Sequence, residues 1–520
     1  MQSKVWQNHI LLVLFIFLVI GLVLLSDKLV NMDSATHPLI YSLFFNLSIL
    51  SIILFIPPVY QLWKGKFDLF ESINVFIIIY FFMFVLFPLY GIWLGRNWYR
   101  RTTNYYSSLN LTTIYAIAGV IFFYIGYFLR LGKRIAHILP SFADSWSKKK
   151  LNTMVIAYFL MSCLALFVFI TNLKGGLSGL KLYLMNDESY NRWYMFHGTG
   201  WGYFVRLMLF FPIAYLLWYS NTLEKINKTI LEKTFSICLF CFALFCSVAS
   251  SLARGSVLLL VLTMAVQHHY LKSRDGIRYV KWNKGFLKYF GYAFIGTILV
   301  INFMTFAARY RIYYSVKGLE AFTSFESSED FIGMTLSPFA SSSGFLLVLE
   351  DVSRTKDYQW GKTYLNLFLM QIPRLVWRRK PRDLIKAAPH EYFSRKILRR
   401  MGVTATPTLL AELYWNFSWP GILIGCFLFG LFCRSAYEFL KANHTNKAVI
   451  MIYSAIIWVG IIKTLRGGFY GGIGNLTRFL IPAIIAIEFI SVNKKSRFWT
   501  ILIIALPLLI FSLGFILNFV

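Results

Sequence analysis

Glu412 is the residue whose type and position most directly indicate chemistry in this sequence. Thr408, Glu412 and Asn416 are spaced by four, so a helix would place their side chains along one face. A carboxylate one or two turns inside an apolar helix is costly unless a polar group pairs with it. Three roles remain open on the residues alone. Glu412 could pair with a loop arginine, hydrogen-bond a substrate, or act as a general base that deprotonates a substrate hydroxyl.

The segment that precedes Glu412 is strongly basic. Between Arg374 and Arg400 it contains ten Lys or Arg residues and two acids. Two cationic runs separated by a proline favour a binding pocket for a pyrophosphate, whereas a plain lipid-binding surface would carry the same charges. His390, which lies between the runs, is a second candidate general base. The candidate anion-binding residues of the first run are Arg374, Arg378 and Lys380.

Arginines also stand where predicted membrane helices meet one set of loops. A guanidinium group binds phosphate oxygens through two parallel hydrogen bonds. The glycines after Arg466 would let backbone N–H groups approach the same ligand. The alternative is that these side chains extend to lipid phosphates at the membrane surface. The further candidate substrate-binding residues are these arginines and one amide on the Glu412 face, namely Arg254, Arg309, Arg466, Arg478 and Asn416.

The elements that must position these residues are membrane helices. Of the 520 residues, 58% are hydrophobic and 14% are charged, and the mean hydropathy is +0.61. Apolar runs of roughly 17–25 residues are long enough to cross a bilayer as helices. We therefore predict an all-α polytopic membrane protein with about thirteen spans, within a range of about twelve to fourteen. The predicted spans are 10–25, 39–62, 73–94, 111–130, 151–171, 202–219, 235–251, 256–271, 286–306, 407–432, 448–465, 476–491 and 499–518.

The charges in the loops predict the orientation. Alternate short loops are rich in Lys and Arg, which indicates the cytoplasmic side and places the amino terminus inside. One long loop, residues 307–406, then lies on the outer side, where it carries the basic segment and short interfacial helices. No boundary or internal repeat divides the chain. We therefore predict one integral membrane domain over residues 1–520.

The sequence disfavours several functional classes. Its net charge of +30 indicates lipid head groups rather than nucleic acid, because a basic excess in a polytopic protein first serves topology. It has no Walker A loop, which argues against an ATP-driven pump. It also lacks His-Glu-x-x-His and Asp-x-Asp motifs, so we predict no metal and no cofactor. Arginines would then stabilise any leaving phosphate.

Three groups of residues carry a resemblance to a known family. They are Gly361-Lys362-Thr363-Tyr364-Leu365; Ile372-Pro373-Arg374 with Trp377 and Lys380-Pro381; and Thr406-Pro407-Thr408 with Glu412-Leu413-Tyr414, Asn416-Phe417, Trp419 and Gly421. The sequence resembles the bacterial O-antigen and oligosaccharide repeat-unit polymerases (Wzy-type). Arg254-Gly255 and Gly175–Ser178 are similar to further parts of the same pattern. The resemblance covers most of the chain in topology, and its motifs concentrate in residues 361–425.

The resemblance implies a metal-independent glycosyltransferase of the bacterial inner membrane. Such enzymes move a growing glycan from undecaprenyl pyrophosphate onto a lipid-linked repeat unit at the periplasmic face, and the product is an O-antigen or capsule-type polysaccharide. Arg254, Arg374 and Arg466 would hold the pyrophosphate, and Glu412 would orient or activate the acceptor hydroxyl. The implied partners are undecaprenyl-pyrophosphate-linked oligosaccharides and the lipid bilayer. A chain-length regulator and a flippase are further candidate partners.

Two other activities remain as alternatives. A lipid-linked glycan ligase shares the number of spans and the outer loop. A transporter of lipid-linked oligosaccharides is the third hypothesis, but transporters tend to show inverted repeats and broken helices near the membrane midplane. The sequence shows no such repeat. Its polar residues gather toward one rim of the predicted bundle, which favours the polymerase.

Overall fold

The computed structural model describes residues 37–93, 105–139, 142, 145–171, 207–223, 229–251, 254–272, 336, 339–371 and 407–492. The secondary structure of this part of the chain is helical apart from one isolated β-bridge, so the predicted all-α class is confirmed. The helices are α1 (His37–Trp63), α2 (Ser72–Trp93, with a π-helical turn at Phe82–Leu86), α3 (Tyr105–Phe128), α4 (Arg130–Ile138), α5 (Lys148–Thr171), α6 (Phe210–Thr222), α7 (Ile230–Ser251), α8 (Arg254–Leu271), α9 (Ser341–Thr355), α10 (Lys362–Gln371), α11 (Leu409–Ala442), α12 (Lys447–Ala455, continued by a π-helical segment Ile456–Ile462) and α13 (Lys463–Ile490).

Seven stretches of the described chain are long and apolar enough to cross a membrane. They coincide with predicted spans, because an apolar run in lipid must satisfy its backbone hydrogen bonds internally and therefore forms a helix. Helix α6 covers only the second part of the predicted span 202–219, whereas α8 contains the whole predicted span 256–271. Three predicted spans, 10–25, 286–306 and 499–518, lie outside the described residues. The total of thirteen therefore remains a prediction.

Helix α11 is broken near its start, which the sequence did not predict. The predicted span 407–432 is uniformly apolar, but Phe417 and Ser418 leave helical geometry, and Ser418 has a φ of 57°. Beyond this break, Gly425 packs directly against the side chain of Leu413. In one continuous helix these two residues would be about 18 Å apart along the axis. The short arm 409–416 therefore folds back against the long arm 419–442, and only the long arm can be the span.

The stretch Lys447–Ile490 also reverses direction. Gly467 and Gly468 leave helical geometry, and Gly468 has a φ of 70°, which glycine adopts without steric cost. Gly472 packs directly against Thr464, on the other side of the turn. Residues 447–466 and 469–490 are therefore two antiparallel arms, which we call the 447–490 hairpin. This agrees with the two separate spans predicted at 448–465 and 476–491.

Two short helices occupy the described part of the predicted outer loop. Helix α9 belongs to the core rather than to a membrane surface, since Phe345 and Val348 are fully buried in the main hydrophobic cluster. Helix α10 buries Thr363 and Asn366 on one face and exposes Leu365 on the other. Part of this loop is thus integrated into the helical bundle, where it can support a site.

Glycines set a close contact between helices α3 and α11. Gly126 of α3 packs directly against the backbone carbonyl of Phe427 in α11, and Gly430 of α11 packs against that of Phe123. Small residues allow membrane helices to approach until their backbones touch. The rings of Phe76 and Phe123 stack beside this contact, 3.6 Å apart. The long arm of α11 is therefore fixed on α3, and the short arm is held with it.

A buried polar cluster ties the bundle together at the end of α11 that lies away from its break. Asp68 is fully buried and accepts hydrogen bonds from the hydroxyls of Tyr270 (2.8 Å) and Tyr437 (3.0 Å). Glu71 accepts one from Tyr127 at 2.7 Å. Burial raises the pKa of Glu71, which precedes the α2 span, to about 7. These bonds join the α1–α2 connection to three helices.

Candidate active site

The loop before α10 closes the end of the α11 short arm. The last carbonyl groups of a helix lack partners within that helix. Here the backbone N–H of Gln359 donates to the carbonyl of Trp415 (3.0 Å), and the N–H of Trp360 donates to that of Asn416 (3.2 Å). The N–H of Gly361 donates to the side-chain oxygen of Asn416 at 3.0 Å. The motifs around Gly361 and Asn416 are therefore in direct contact.

Glu412 is fully buried where α10, the short arm and the 447–490 hairpin meet. The hydroxyl of Thr363 donates to its Oε1 at 3.1 Å, and the backbone N–H of Tyr470 donates to its Oε2 at 3.2 Å. The side-chain amide of Asn416 donates to the Thr363 hydroxyl and to the backbone oxygen of Glu412, each at 2.8 Å. The carboxylate is thus oriented by neutral donors from α10 and the hairpin, and Asn416 of the short arm holds the Thr363 hydroxyl.

The predicted polar face of Thr408, Glu412 and Asn416 is confirmed as a buried one. All three residues are fully buried, and Thr408 is the N-cap, where its hydroxyl accepts from the N–H of Ala411 at 3.1 Å. Glu412 lies in the first turn of the short arm and also faces the start of the second hairpin arm through Tyr470. Helix N-termini carry partial positive charge, so both positions stabilise a carboxylate.

Gly468 is required at this junction for two reasons. Its backbone lies at φ 70° and ψ 178°, a region that is essentially restricted to glycine. It also packs directly against the Glu412 carboxylate, so that a side chain here would overlap that group. The Gly467–Gly468 pair thus lets the hairpin backbone approach Glu412. The sequence predicted such an approach toward a ligand, whereas the contact in the structure is with Glu412.

Aromatic rings surround the carboxylate. The Tyr364 ring lies 6.1 Å from that of Phe417 and 6.0 Å from that of Phe469. The Tyr364 hydroxyl and the Asn366 amide nitrogen are buried and have no hydrogen-bond partner in the described part of the chain. Trp360 is 72% exposed at the edge of this group. Apolar walls with a few convergent polar groups are typical of ligand sites.

The hairpin adds cations near this junction. Arg466 is the last residue of the first arm, and Arg478 is an exposed residue of the second arm. Lys463 lies close enough to both arginines for their guanidinium groups to repel its ammonium group. Lys463 is not among the predicted site residues. It is a lone lysine inside the predicted span 448–465, and an ionisable residue inside a span indicates a functional site. Thr363 was likewise quoted only as part of a motif.

The remaining predicted site residues are only partly covered by the structure. Arg254 begins helix α8, as the predicted span requires. The other predicted site residues lie outside the described residues, so their roles stay predictions. They are the outer-loop cations Arg309, Arg374, Arg378 and Lys380 and the second candidate base, His390. No group of three or more His, Cys, Asp or Glu side chains that could hold a metal occurs among the residues that were described.

Comparison with known families decides the assignment. The model of the O-antigen polysaccharide polymerase Wzy family matches residues 7–497, which is nearly the whole chain. The chain belongs to this family. Wzy polymerases are inner-membrane enzymes of the glycosyltransferase type, and they act on lipid-linked oligosaccharide repeat units in polysaccharide biosynthesis. No curated protein and no solved structure matches this chain.

The matched region contains all the described elements of the candidate site. It extends from before α1 to beyond the end of α13 and includes the Gly361 loop, the short arm and the hairpin. The resemblance inferred from the sequence is thereby confirmed at the level of the family.

Proposed function

We propose that this chain polymerises lipid-linked repeat units by moving the growing glycan from its undecaprenyl pyrophosphate carrier to a lipid-linked acceptor unit. The single observation that carries this proposal is Glu412, a carboxylate held by Thr363 and Tyr470 at the meeting point of two broken helices. A carboxylate buried in this way inside a polymerase of this family is suited to the acceptor hydroxyl.

The reaction breaks the bond between the donor's anomeric carbon and a pyrophosphate oxygen, and forms a bond from that carbon to the acceptor oxygen. The acceptor hydroxyl proton passes to a base, and undecaprenyl pyrophosphate leaves with the electron pair of the broken bond. Arg254, Arg374 and Arg466 stabilise the charge on the leaving group, with Arg309, Arg378, Lys380 and Arg478 as further contacts. Such preorganised donors can supply the stabilisation without a metal.

In this proposal Glu412 accepts one further hydrogen bond when the acceptor binds. An ionised carboxylate offers about four lone-pair sites, and its described donors are the Thr363 hydroxyl and the backbone N–H groups of Phe469 and Tyr470. A remaining site can accept the acceptor hydroxyl, either to orient it or to remove its proton. Asn416 holds the Thr363 hydroxyl in place and so supports this geometry. His390 is retained as the alternative base.

The outer face of the inner membrane is the side on which we place the reaction. The long arm of α11 ends near Arg434 and Lys441, in a loop that the charge rule assigns to the cytoplasm. Its break at Phe417–Ser418 then lies toward the periplasm, together with Glu412. Broken helices also occur in transporters, but the family match favours the polymerase. A chain-length regulator and a flippase would act beside it.

Gel analysis of surface glycan length tests this proposal. A strain that lacks the protein should carry glycan capped with a single repeat unit, and Glu412→Gln and Arg374→Ala should reproduce this pattern while the protein remains in the membrane. Normal long chains in the deletion strain would refute the polymerase. Polymer that accumulates without attachment to its final acceptor would identify a ligase instead. Surface glycan of wild-type length in both variants would show that neither Glu412 nor Arg374 takes part in the reaction.

A further inference from the structure

Lys463 is a cation inside a predicted membrane span. It directly follows the π-helical segment Ile456–Ile462, and it lies four residues, or about 6 Å along the arm, before the turn at Gly467. Its side chain is partly buried and forms no ion pair or hydrogen bond with any residue in the described ranges. Ionisable groups inside membrane spans are costly, and they usually mark a ligand or ion site.

The fold brings two further cations to Lys463. Arg466 is three residues away on the same arm, so the two side chains share one face of the helix. Arg478 belongs to the second arm, which folds back so that a side chain on Gly460 would lie 3.5 Å from Leu476. Both guanidinium groups repel the Lys463 ammonium group. Bringing like charges together has an electrostatic cost, which a bound anion would offset.

We infer that Lys463, together with Arg466 and Arg478, binds the diphosphate of the lipid-linked substrate; this inference rests on the proposed function. An ammonium group supplies three donors and a compact charge, and the two guanidinium groups supply planar pairs of donors to phosphate oxygens. An anionic phospholipid offers the same phosphate chemistry with a smaller charge. Three converging cations match the more highly charged diphosphate.

A direct binding experiment separates Lys463 from catalysis. The purified protein is placed in phosphatidylcholine nanodiscs and titrated with farnesyl diphosphate, with farnesol as the uncharged reference. Lys463→Met should raise the Kd for farnesyl diphosphate roughly tenfold, since a charge-assisted hydrogen bond is lost. Lys463→Arg keeps the charge and should stay within about threefold of the wild type. Equal Kd values for Lys463→Met and the wild type would overturn the inference.

Lys447→Met is the matched control. Lys447 begins the same hairpin at its opposite end, where its ammonium group lies 3.4 Å from the Asn221 side-chain oxygen and 5.8 Å from the Trp146 ring centroid. Its loss should leave the Kd for farnesyl diphosphate unchanged. If Lys447→Met raises the Kd for farnesyl diphosphate as much as Lys463→Met does, the loss of binding reflects the net charge of the protein rather than a site at Lys463. The inference is then wrong.

Two further measurements complete the test. Phosphatidylglycerol added to the nanodiscs should compete weakly, and competition as strong as that of the diphosphate would make Lys463 a phospholipid contact. If Lys463→Met does not accumulate, acetic anhydride labelling of the unmutated protein replaces it. Farnesyl diphosphate should then protect Lys463 but not Lys447, and equal labelling would overturn the inference. These assays measure binding and do not measure glycan length. The gel analysis of glycan length therefore tests the polymerase proposal independently of Lys463.

Discussion

Gly468→Ala is expected to displace the Glu412 carboxylate. At φ 70° and ψ 178°, a residue other than glycine costs about 1–3 kcal/mol. The added methyl group would also overlap the carboxylate, so that Glu412 must move. The hydrogen bonds from Thr363 and Tyr470 would then be weakened or lost, and a buried group left without its partner costs about 1–3 kcal/mol more.

The total of about 2–6 kcal/mol is comparable to the lower end of typical protein stability, about 5 kcal/mol. We therefore expect a lower melting temperature and a smaller amount of protein in the membrane. The effect on the reaction should be larger than the effect on abundance, because a displacement of about 1 Å near a reacting group can reduce a rate by about 100-fold. Surface glycan should shorten to a single repeat unit.

The neighbouring glycines provide controls for Gly468→Ala. A side chain on Gly467 or Gly471 would meet no atom within 4 Å, and Gly467 has a φ of −135°, which other residues adopt. Both alanine variants should keep long glycan chains and near-wild-type melting temperatures. The assay compares glycan length per amount of membrane protein. If Gly468→Ala matches Gly467→Ala in both measurements, the assigned contact between Gly468 and Glu412 is wrong.

Two other perturbations follow from the same contacts. Thr363→Val removes the donor to Glu412 and an acceptor of Asn416, which should shorten the glycan at constant protein level, whereas Thr363→Ser keeps the hydroxyl and should retain most of the length. Glu71 has a pKa of about 7, raised from 4.5 by burial. Its protonated form is favoured in the folded protein, so stability should fall by about 3 kcal/mol as the pH rises from about 4.5 through 7. Glu71→Gln should remove most of this dependence.

Thermal unfolding and glycan gels check both expectations. Thr363→Ser is the control for Thr363→Val, and equal glycan length in the two variants would show that the hydroxyl does not matter. Melting temperatures from pH 5 to pH 8 compare Glu71→Gln with the wild type. The variant should be the more stable protein at pH 8, and the two should converge toward pH 5. Parallel curves would contradict the assigned protonation of Glu71.

The sequence was sufficient to predict the spans that the structure describes. Apolar runs of about 20 residues must form helices in lipid, and the four-residue spacing of Glu412 and Asn416 correctly placed both on one buried face. The breaks at Ser418 and Gly468 could not be predicted in the same way. A Gly-Gly or Phe-Ser pair inside an apolar run is compatible with a straight helix, a kink or a reversal. The choice depends on contacts such as Gly425 with Leu413, which are tertiary.

The partners of Glu412 were beyond sequence reasoning for the same reason. Thr363 and Tyr470 are 49 and 58 residues away from Glu412 along the chain, and no local periodicity relates such positions. Thr363 belongs to the motif Gly361–Leu365 that carries the family resemblance, but the motif does not indicate what its hydroxyl binds. An arginine was the expected partner of Glu412, because a charge at membrane depth needs compensation. Among the described residues, the Thr363 hydroxyl and the backbone N–H groups of Phe469 and Tyr470 make the hydrogen bonds to its carboxylate.

This difference bears on how the site could work. An arginine paired with a carboxylate has part of its charge neutralised, and it would stabilise a leaving pyrophosphate less well. Neutral donors and two helix N-termini orient the Glu412 carboxyl group without using a cation for that purpose. We therefore propose that the acceptor side of the reaction lies at the junction of Thr363, Glu412 and Gly468. The cationic contribution of the hairpin comes from Lys463, Arg466 and Arg478. Variants at the junction should therefore impair elongation while farnesyl diphosphate still binds, and Lys463→Met should weaken that binding directly.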